Sequence, residues 1–180
     1  MKALLIRHAT TSGQAPDAPL TAEGAAQAEA LVPVLTALGA GPLYTSPFAR
    51  AQETIAPYAA ASGQTVTSLD GLRERTLTTV DELPDWKDHI RRSFSDALHA
   101  GPGGESHTHL FIRAAQAFAE IAEVGGPLAT IVTHGGLASA LLNRVDPAFG
   151  FAEWESMRNP DLFEVEIIGR QITQFTRHDL

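Results

Sequence analysis

Two histidines follow short apolar runs at opposite ends of the chain. Leu4-Leu5-Ile6 leads into Arg7-His8, and Ala129-Thr130-Ile131-Val132-Thr133 leads into His134-Gly135-Gly136. A short apolar run reads as a buried parallel strand, whose carboxyl end opens into the crevice where α/β sheets hold ligands. If the two strands are neighbours, one pocket holds two imidazoles and an arginine. Imidazole is nucleophilic near neutral pH because much of it is unprotonated. An adjacent guanidinium offers parallel N–H donors to phosphate oxygens. The combination suits attack on a phosphoryl group, although Arg7-His8 alone also reads as two polar residues opening a loop.

Two further segments fit the same chemistry. In Thr45-Ser46-Pro47-Phe48-Ala49-Arg50 a strand runs into a helix, whose first turn has free N–H groups and a positive dipole end. Arg50 on that turn can reach an anion; in isolation the segment reads rather as a capped helix with a solvent-facing arginine. Gly135 and Gly136 let the backbone approach a ligand closely and supply N–H donors. His134, kept protonated beside a phosphate, would stabilise charge on the transferring group. The plain alternative is a Gly-Gly turn next to a packed histidine.

The elements that position these groups follow from the pattern. Residues 2–7 read as a strand. Thr21 caps a helix carrying Ala28, Leu31, Val32, Leu35 and Leu38 at helical spacing, kinked at Pro33 and ended by Gly39. Residues 43–45 form a short strand. Ser46-Pro47 reads as an N-cap with proline at the first helical position, opening a helix striped by Phe48, Ala51, Ile55 and Tyr58. A strand at 65–69, an irregular stretch at 70–83 and a helix from 83 to about 100 precede a Gly-Pro-Gly-Gly break. Ser106 or Thr108 caps the next helix, with stripe Phe111, Ala115, Phe118 and Ala122. A strand at 128–133, a short helix at 137–143 and a hairpin of 162–168 with 171–175, turning at Gly169-Arg170, complete the chain. The order β-α-β-α-β-α-α-β-α-β-β predicts an α/β fold, a three-layer α/β/α sandwich with a mostly parallel central sheet, over residues 1–180 as one domain.

Composition narrows the function. The chain has 180 residues, 44% hydrophobic and 19% charged, as expected of a globular protein. It has no cysteine, which removes disulfides and thiolate metal sites and fits a reducing compartment. The net charge of −8 argues against a nucleic-acid partner. No apolar stretch approaches the ~20 residues that cross a bilayer, and the run after Met1 is too brief for a signal core, so no membrane association and a cytoplasmic location are expected. An acidic protein that handles an anion must concentrate its cations locally.

Taken together, Leu5-Ile6-Arg7-His8, Leu20-Thr21-Ala22-Glu23-Gly24, Tyr44-Thr45-Ser46-Pro47-x-x-Arg50-Ala51-x-x-Thr54 and Val132-Thr133-His134-Gly135-Gly136 resemble the histidine phosphatase superfamily, also called phosphoglycerate-mutase-like. The likeness runs in order along nearly the whole chain. It implies that family's sandwich fold and a phosphohistidine intermediate. By position it makes His8 the nucleophile and Arg7, Arg50 and His134 the phosphate pocket. It places Thr11 and Gln14 near the phosphate, and Glu74 in the loop that supplies the proton donor. A surface glutamate between two arginines is the other reading of Glu74. No metal or cofactor is needed, because two arginines and a cationic histidine supply the charge.

The resemblance covers both phosphatases and mutases. Mutases follow the loop glutamate with Arg-His-Tyr-Gly; here Arg75 matches, but Thr76, Leu77 and Thr78 do not. Hydrolysis of a phosphomonoester, from a small phosphorylated metabolite or a phosphoprotein, is therefore the expectation. A bisphosphoglycerate-dependent mutase and a weakly catalytic phospho-ligand-binding module are the alternatives. Arg73 and Arg75 could read a second anionic group or form surface ion pairs, and Glu105 could touch a substrate. His107 and His109, without a third ligand, are expected to be solvated. Trp86 and Trp154 could line a substrate mouth, pack together or meet another copy. The sequence gives no reading of oligomeric state.

Overall fold

The computed structural model describes residues 1–126 and 128–180. Its strands are β1 (Lys2–Arg7), β2 (Leu43–Thr45), β3 (Val66–Ser68), β4 (Leu128–Thr133), β5 (Asp161–Ile168) and β6 (Gln171–His178). Its helices are α1 (Ala22–Leu38), α2 (Ala49–Ser62), α3 (Trp86–Ser95), α4 (His107–Val124), α5 (Gly135–Val145) and α6 (Phe151–Glu155). One sheet takes the order β3-β2-β4-β1-β5-β6. The β3-β2, β2-β4 and β4-β1 pairs are parallel, while β5 and β6 add an antiparallel edge. In β1, Arg7 lies level with Thr133 on one side and Asp161 on the other. The two histidine-bearing strands are therefore neighbours, and their carboxyl ends coincide.

The sheet is covered on both faces, which explains the continuous apolar runs. Ala3 and Leu5 of β1 pack with Leu110, Ala114 and Phe118 of α4 and Leu137 of α5. Leu4 and Ile6 turn the other way, against Leu31 and Leu35 of α1 and Ile55 of α2. Burying each Leu or Ile side chain stabilises the fold by ~1.5–3 kcal/mol, so a one-residue slip of β1 is strongly disfavoured. Helix α1 starts where Thr21 accepts from the Gly24 N–H at 3.0 Å and ends at left-handed Gly39, φ 69°. It runs through Pro33 without a break. The β5-β6 turn at Gly169 and Arg170, both at positive φ, is the two-residue hairpin turn expected.

Several local expectations need correction. Helix α2 begins at Ala49, not Pro47, and Ser46 accepts from the Phe48 N–H at 3.2 Å as a tight turn before it. Helix α3 ends at Ser95, because Asp96 turns its carboxylate onto the Leu98 N–H and diverts the backbone. The buried stripe of α4 is His107, Leu110, Ala114, Ala117, Phe118 and Ile121; Phe111 and Ala115 are half-buried and Ala122 is exposed. The five-residue α6 has no counterpart in the sequence pattern, and α5 is longer at both ends than the pattern suggests. Among the described residues no helix is long and apolar enough to cross a membrane.

Candidate active site

His8 follows β1 directly, and its backbone N–H donates to Thr133 at 2.9 Å, so it stays level with the end of β4. The side chain is 6% exposed. Its Nδ1 donates to the Ala9 carbonyl at 2.7 Å; a carbonyl can only accept, so the ring proton is on Nδ1. Nε2 then carries the lone pair and accepts from Arg50 Nε at 3.2 Å. Burial, with Arg50 and Arg7 adding to it against the Ala9 bond, pushes the imidazole down to about 4. His8 is therefore neutral near pH 7.

Both pocket arginines are held by backbone carbonyls. Arg7 Nη1 donates to Met157 at 2.8 Å, while its buried Nε has no partner. Arg50, 1% exposed, donates from Nη1 to Ala15 at 2.9 Å and Gln14 at 3.3 Å. Burial lowers the pKa of each, with Glu74 opposing, yet an arginine remains charged across the physiological range. Desolvated guanidinium groups left with spare donors call for an anion. His134 stands edge-on to His8, ring centroids 5.0 Å apart. Its Nε2 meets Ser46 Oγ at 2.7 Å, and its buried Nδ1 has no partner. Burial, reinforced by surrounding cations, holds it well below the usual imidazole range. With no anion against it the imidazole is therefore favoured in its neutral form; the cationic His134 expected from the sequence is one beside a phosphate, whose charge acts in the opposite direction.

The Glu74 carboxylate sits on the first turn of α5. Oε1 accepts from the N–H groups of Arg75 at 2.7 Å and Leu137 at 3.1 Å, and Oε2 accepts from Gly136 at 3.1 Å. At both glycines a side chain would press on a pocket group. A Cβ on Gly136 would lie 2.6 Å from Glu74 Oε1, and one on Gly135 3.1 Å from Arg7 Nε. Behind the loop, Arg113 of α4 donates to the carbonyls of Gly71 and Arg73, both at 2.8 Å, and of Glu74 at 3.3 Å. Glu105 clamps Arg113 and Arg73 and accepts from the Thr76 N–H.

Arg7, Gln14, Arg50, Glu74 and Gly135 border one cavity of about 1100 Å³, and His8 and His134 lie against Arg50 and Phe48 of its wall. Thr11 stands apart, its hydroxyl bonded to the Gly13 and Pro19 carbonyls of its own loop. Neither Arg73 nor Glu105 faces a ligand, since they bind each other at 2.9 Å. His107 is not solvated: it is 2% exposed and packs edge-on to Phe94, whereas His109 is exposed. Sequence reasoning missed Ser46 as the partner of His134 and Asn159, whose Nδ2 donates to the His8 carbonyl at 2.7 Å. Asn159 could have been found only from the pairing of β5 with β1, which brings the residues before Asp161 to the end of β1.

The arrangement can grip a tetrahedral oxyanion beside an unprotonated imidazole nitrogen, and so defines an α/β protein suited to phosphoryl groups. The chain belongs to the histidine phosphatase superfamily, branch 1, whose family model matches residues 3–176. Comparison with curated proteins gives no match. Among solved structures, the chain is similar to a mycobacterial glucosyl-3-phosphoglycerate phosphatase in complex with inorganic phosphate, with 24% identity, 99% of this chain and 95% of that one covered, and a TM-score of 0.76. It is also similar to a Bacillus stearothermophilus protein, YhfR, with 24% identity over 95% and 93% of the two chains and a TM-score of 0.73. A phosphoserine phosphatase mutant from Entamoeba histolytica in complex with phosphoserine shares 18% identity over 97% and 95%, with a TM-score of 0.73.

Proposed function

We propose that this protein is a cytoplasmic, single-domain phosphatase that hydrolyses a small phosphorylated metabolite through a phosphohistidine on His8. The observation that carries the reading is the fixed tautomer of His8: Nδ1 is tied to the Ala9 carbonyl, so the Nε2 lone pair faces Arg50 in the phosphate pocket. In the first displacement Nε2 attacks phosphorus and the bond to the leaving oxygen breaks. Arg50 exchanges its bond to Nε2 for the phosphate oxygens, which Arg7 and His134 also hold. Glu74, entering this step as the carboxylic acid, gives its proton to the departing alkoxide and is left as the carboxylate. Water then attacks the phosphohistidine and passes a proton to Glu74; the P–N bond breaks and its electron pair returns to Nε2. Throughout, the Ala9 carbonyl steadies Nδ1–H, where positive charge builds up.

Family membership and two relatives that are phosphatases of small metabolites support hydrolysis. The mutase motif after the loop glutamate is missing here, where Arg75-Thr76-Leu77 follows Glu74. The test is incubation with a labelled phosphomonoester, alkaline quench and recovery of acid-labile label, with release of inorganic phosphate. Label that passes to a phosphoglycerate instead of water would make the enzyme a mutase.

A further inference from the structure

The phosphate pocket is one end of a cavity far larger than a phosphate needs. About 1100 Å³ is on the scale of a site for a drug-sized ligand, roughly 300–1,000 Å³. Beyond Arg7, Arg50 and Gly136 the wall continues through Leu77, Leu83, Trp86, Ile90, Phe94 and Trp154. These come from the segment after Glu74, from α3 and from α6. Trp86 is 40% exposed and meets Trp154 edge-to-face, ring centroids 6.3 Å apart. An aromatic pair exposed at a cavity rim presents flat apolar surface that a ligand can cover.

Most charged groups on this wall have partners within the protein. Lys87 pairs with Glu155 at 2.8 Å. Arg75 donates from Nε to the Glu105 carbonyl at 2.9 Å and from Nη1 to Ser93 at 2.7 Å, while its buried Nη2 has no partner. His107, beside Arg75, is kept neutral by burial. Past the phosphate, a ligand meets mainly aromatic and aliphatic carbon, with Thr76, Thr78 and Ser139 among the neutral polar residues of the lining.

We propose that the leaving group of the substrate is a bulky, mainly apolar alcohol, aromatic in the first instance, covered by Trp86 and Trp154 at the mouth and by Leu77, Leu83, Ile90 and Phe94 within. This rests on the phosphatase reading and specifies its substrate class: esters of apolar alcohols ahead of those of polyols, sugars or hydroxy acids. The enzyme discriminates by burying the apolar body of the ester while the phosphate is gripped at the far end.

The experiment compares kcat/KM for 2-phenylethyl phosphate and ethyl phosphate, whose alcohols are similarly poor leaving groups, so that differences report binding of the ring and not chemistry. 3-Phosphoglycerate, glucose 6-phosphate and phosphoserine complete the panel. Phenylethyl phosphate is expected to exceed ethyl phosphate by about tenfold or more and to exceed the three polar esters. Trp86→Ala should bring the phenylethyl-to-ethyl ratio down severalfold, and Trp86→Leu, which keeps apolar bulk, should restore part of it. Hydrolysis with a ratio near one, or preference for a polar ester, overturns the inference and leaves the phosphatase reading intact. Failure of every ester to phosphorylate His8 removes both.

Discussion

Gly136→Ala separates catalysis from stability with a single methyl group. The new Cβ would sit 2.6 Å from Glu74 Oε1, 3.1 Å from its Cδ and 3.3 Å from Arg75 Cβ. Ordinary contact begins near 3.4 Å, so the carboxylate must retreat by about 0.8 Å, and displacements of this order in a catalytic group cost up to ~100-fold in rate. Glu74 is the far end of a flexible side chain, so the fold gives way at that point cheaply. Position 136 lies in the first turn of α5, where alanine is a better helix former than glycine by up to ~1 kcal/mol. The expected outcome is kcat lower by about 10- to 100-fold, equivalent to roughly 1.4–2.7 kcal/mol of barrier, with thermal stability unchanged or slightly raised. Stopped-flow or steady-state turnover, read beside a thermal melt, makes the comparison. Unchanged kcat would mean that the Glu74 carboxylate plays no part in proton transfer. A matching loss of melting temperature would mean that the methyl group disrupts packing, not the placement of the acid.

Other consequences are as direct. Native His8 and His107 titrate at about 4 and about 3, against 6.5 in the unfolded chain, so the unfolded state binds more protons below pH 6.5. The stability they contribute is complete above pH 6.5 and drains away as pH falls toward 4, by roughly 1.4 kcal/mol per pH unit for each histidine; denaturant melts at pH 7 and 5 should show it, and equal midpoints would contradict it. Arg113→Met leaves Glu105 to Arg73 and the Thr76 N–H and strands the carbonyls of the 71–74 loop, so it should cost about 1–3 kcal/mol in chemical denaturation; a loss under about 0.5 kcal/mol would show that the clamp is slack. In Gly24→Ala the Cβ would lie 1.9 Å from the Thr10 carbonyl oxygen, a backbone atom that cannot step aside, so the variant should melt well below the parent.

The sequence exposes those parts of the fold whose signals are local or doubly buried. β1 and β4 are apolar on both faces because helices cover both, and so they stand out as unbroken runs. Thr21, Gly39 and the Gly169-Arg170 turn announce themselves through backbone requirements of single residues. The stripe of α4 is displaced from its sequence reading because five alanines are spread round the helix and blur its apolar edge; the true stripe begins with His107, which a hydrophobic count discards. The environment of His107 is set by Arg75 and Phe94, from distant segments, and no spacing rule carries that information. In the candidate site, Arg7, His8, Arg50 and His134 are legible because each lies at a strand or helix end where side chains converge. Ser46 reads as a helix cap because its true partner, His134, is supplied by another strand. The inward turn of Arg75 is equally hidden, since it depends on Ser93 of α3 and the backbone of Glu105.

Where phosphorus goes during turnover decides the mechanism. Rapid alkaline quench with a ³²P-labelled phosphomonoester, followed by digestion and phosphohistidine isomer analysis, reads this directly. Label on Nε2 of His8, absent in His8→Asn with the fold preserved, is the predicted result. Label on Nδ1 or on another residue, or full turnover by His8→Asn, would contradict it.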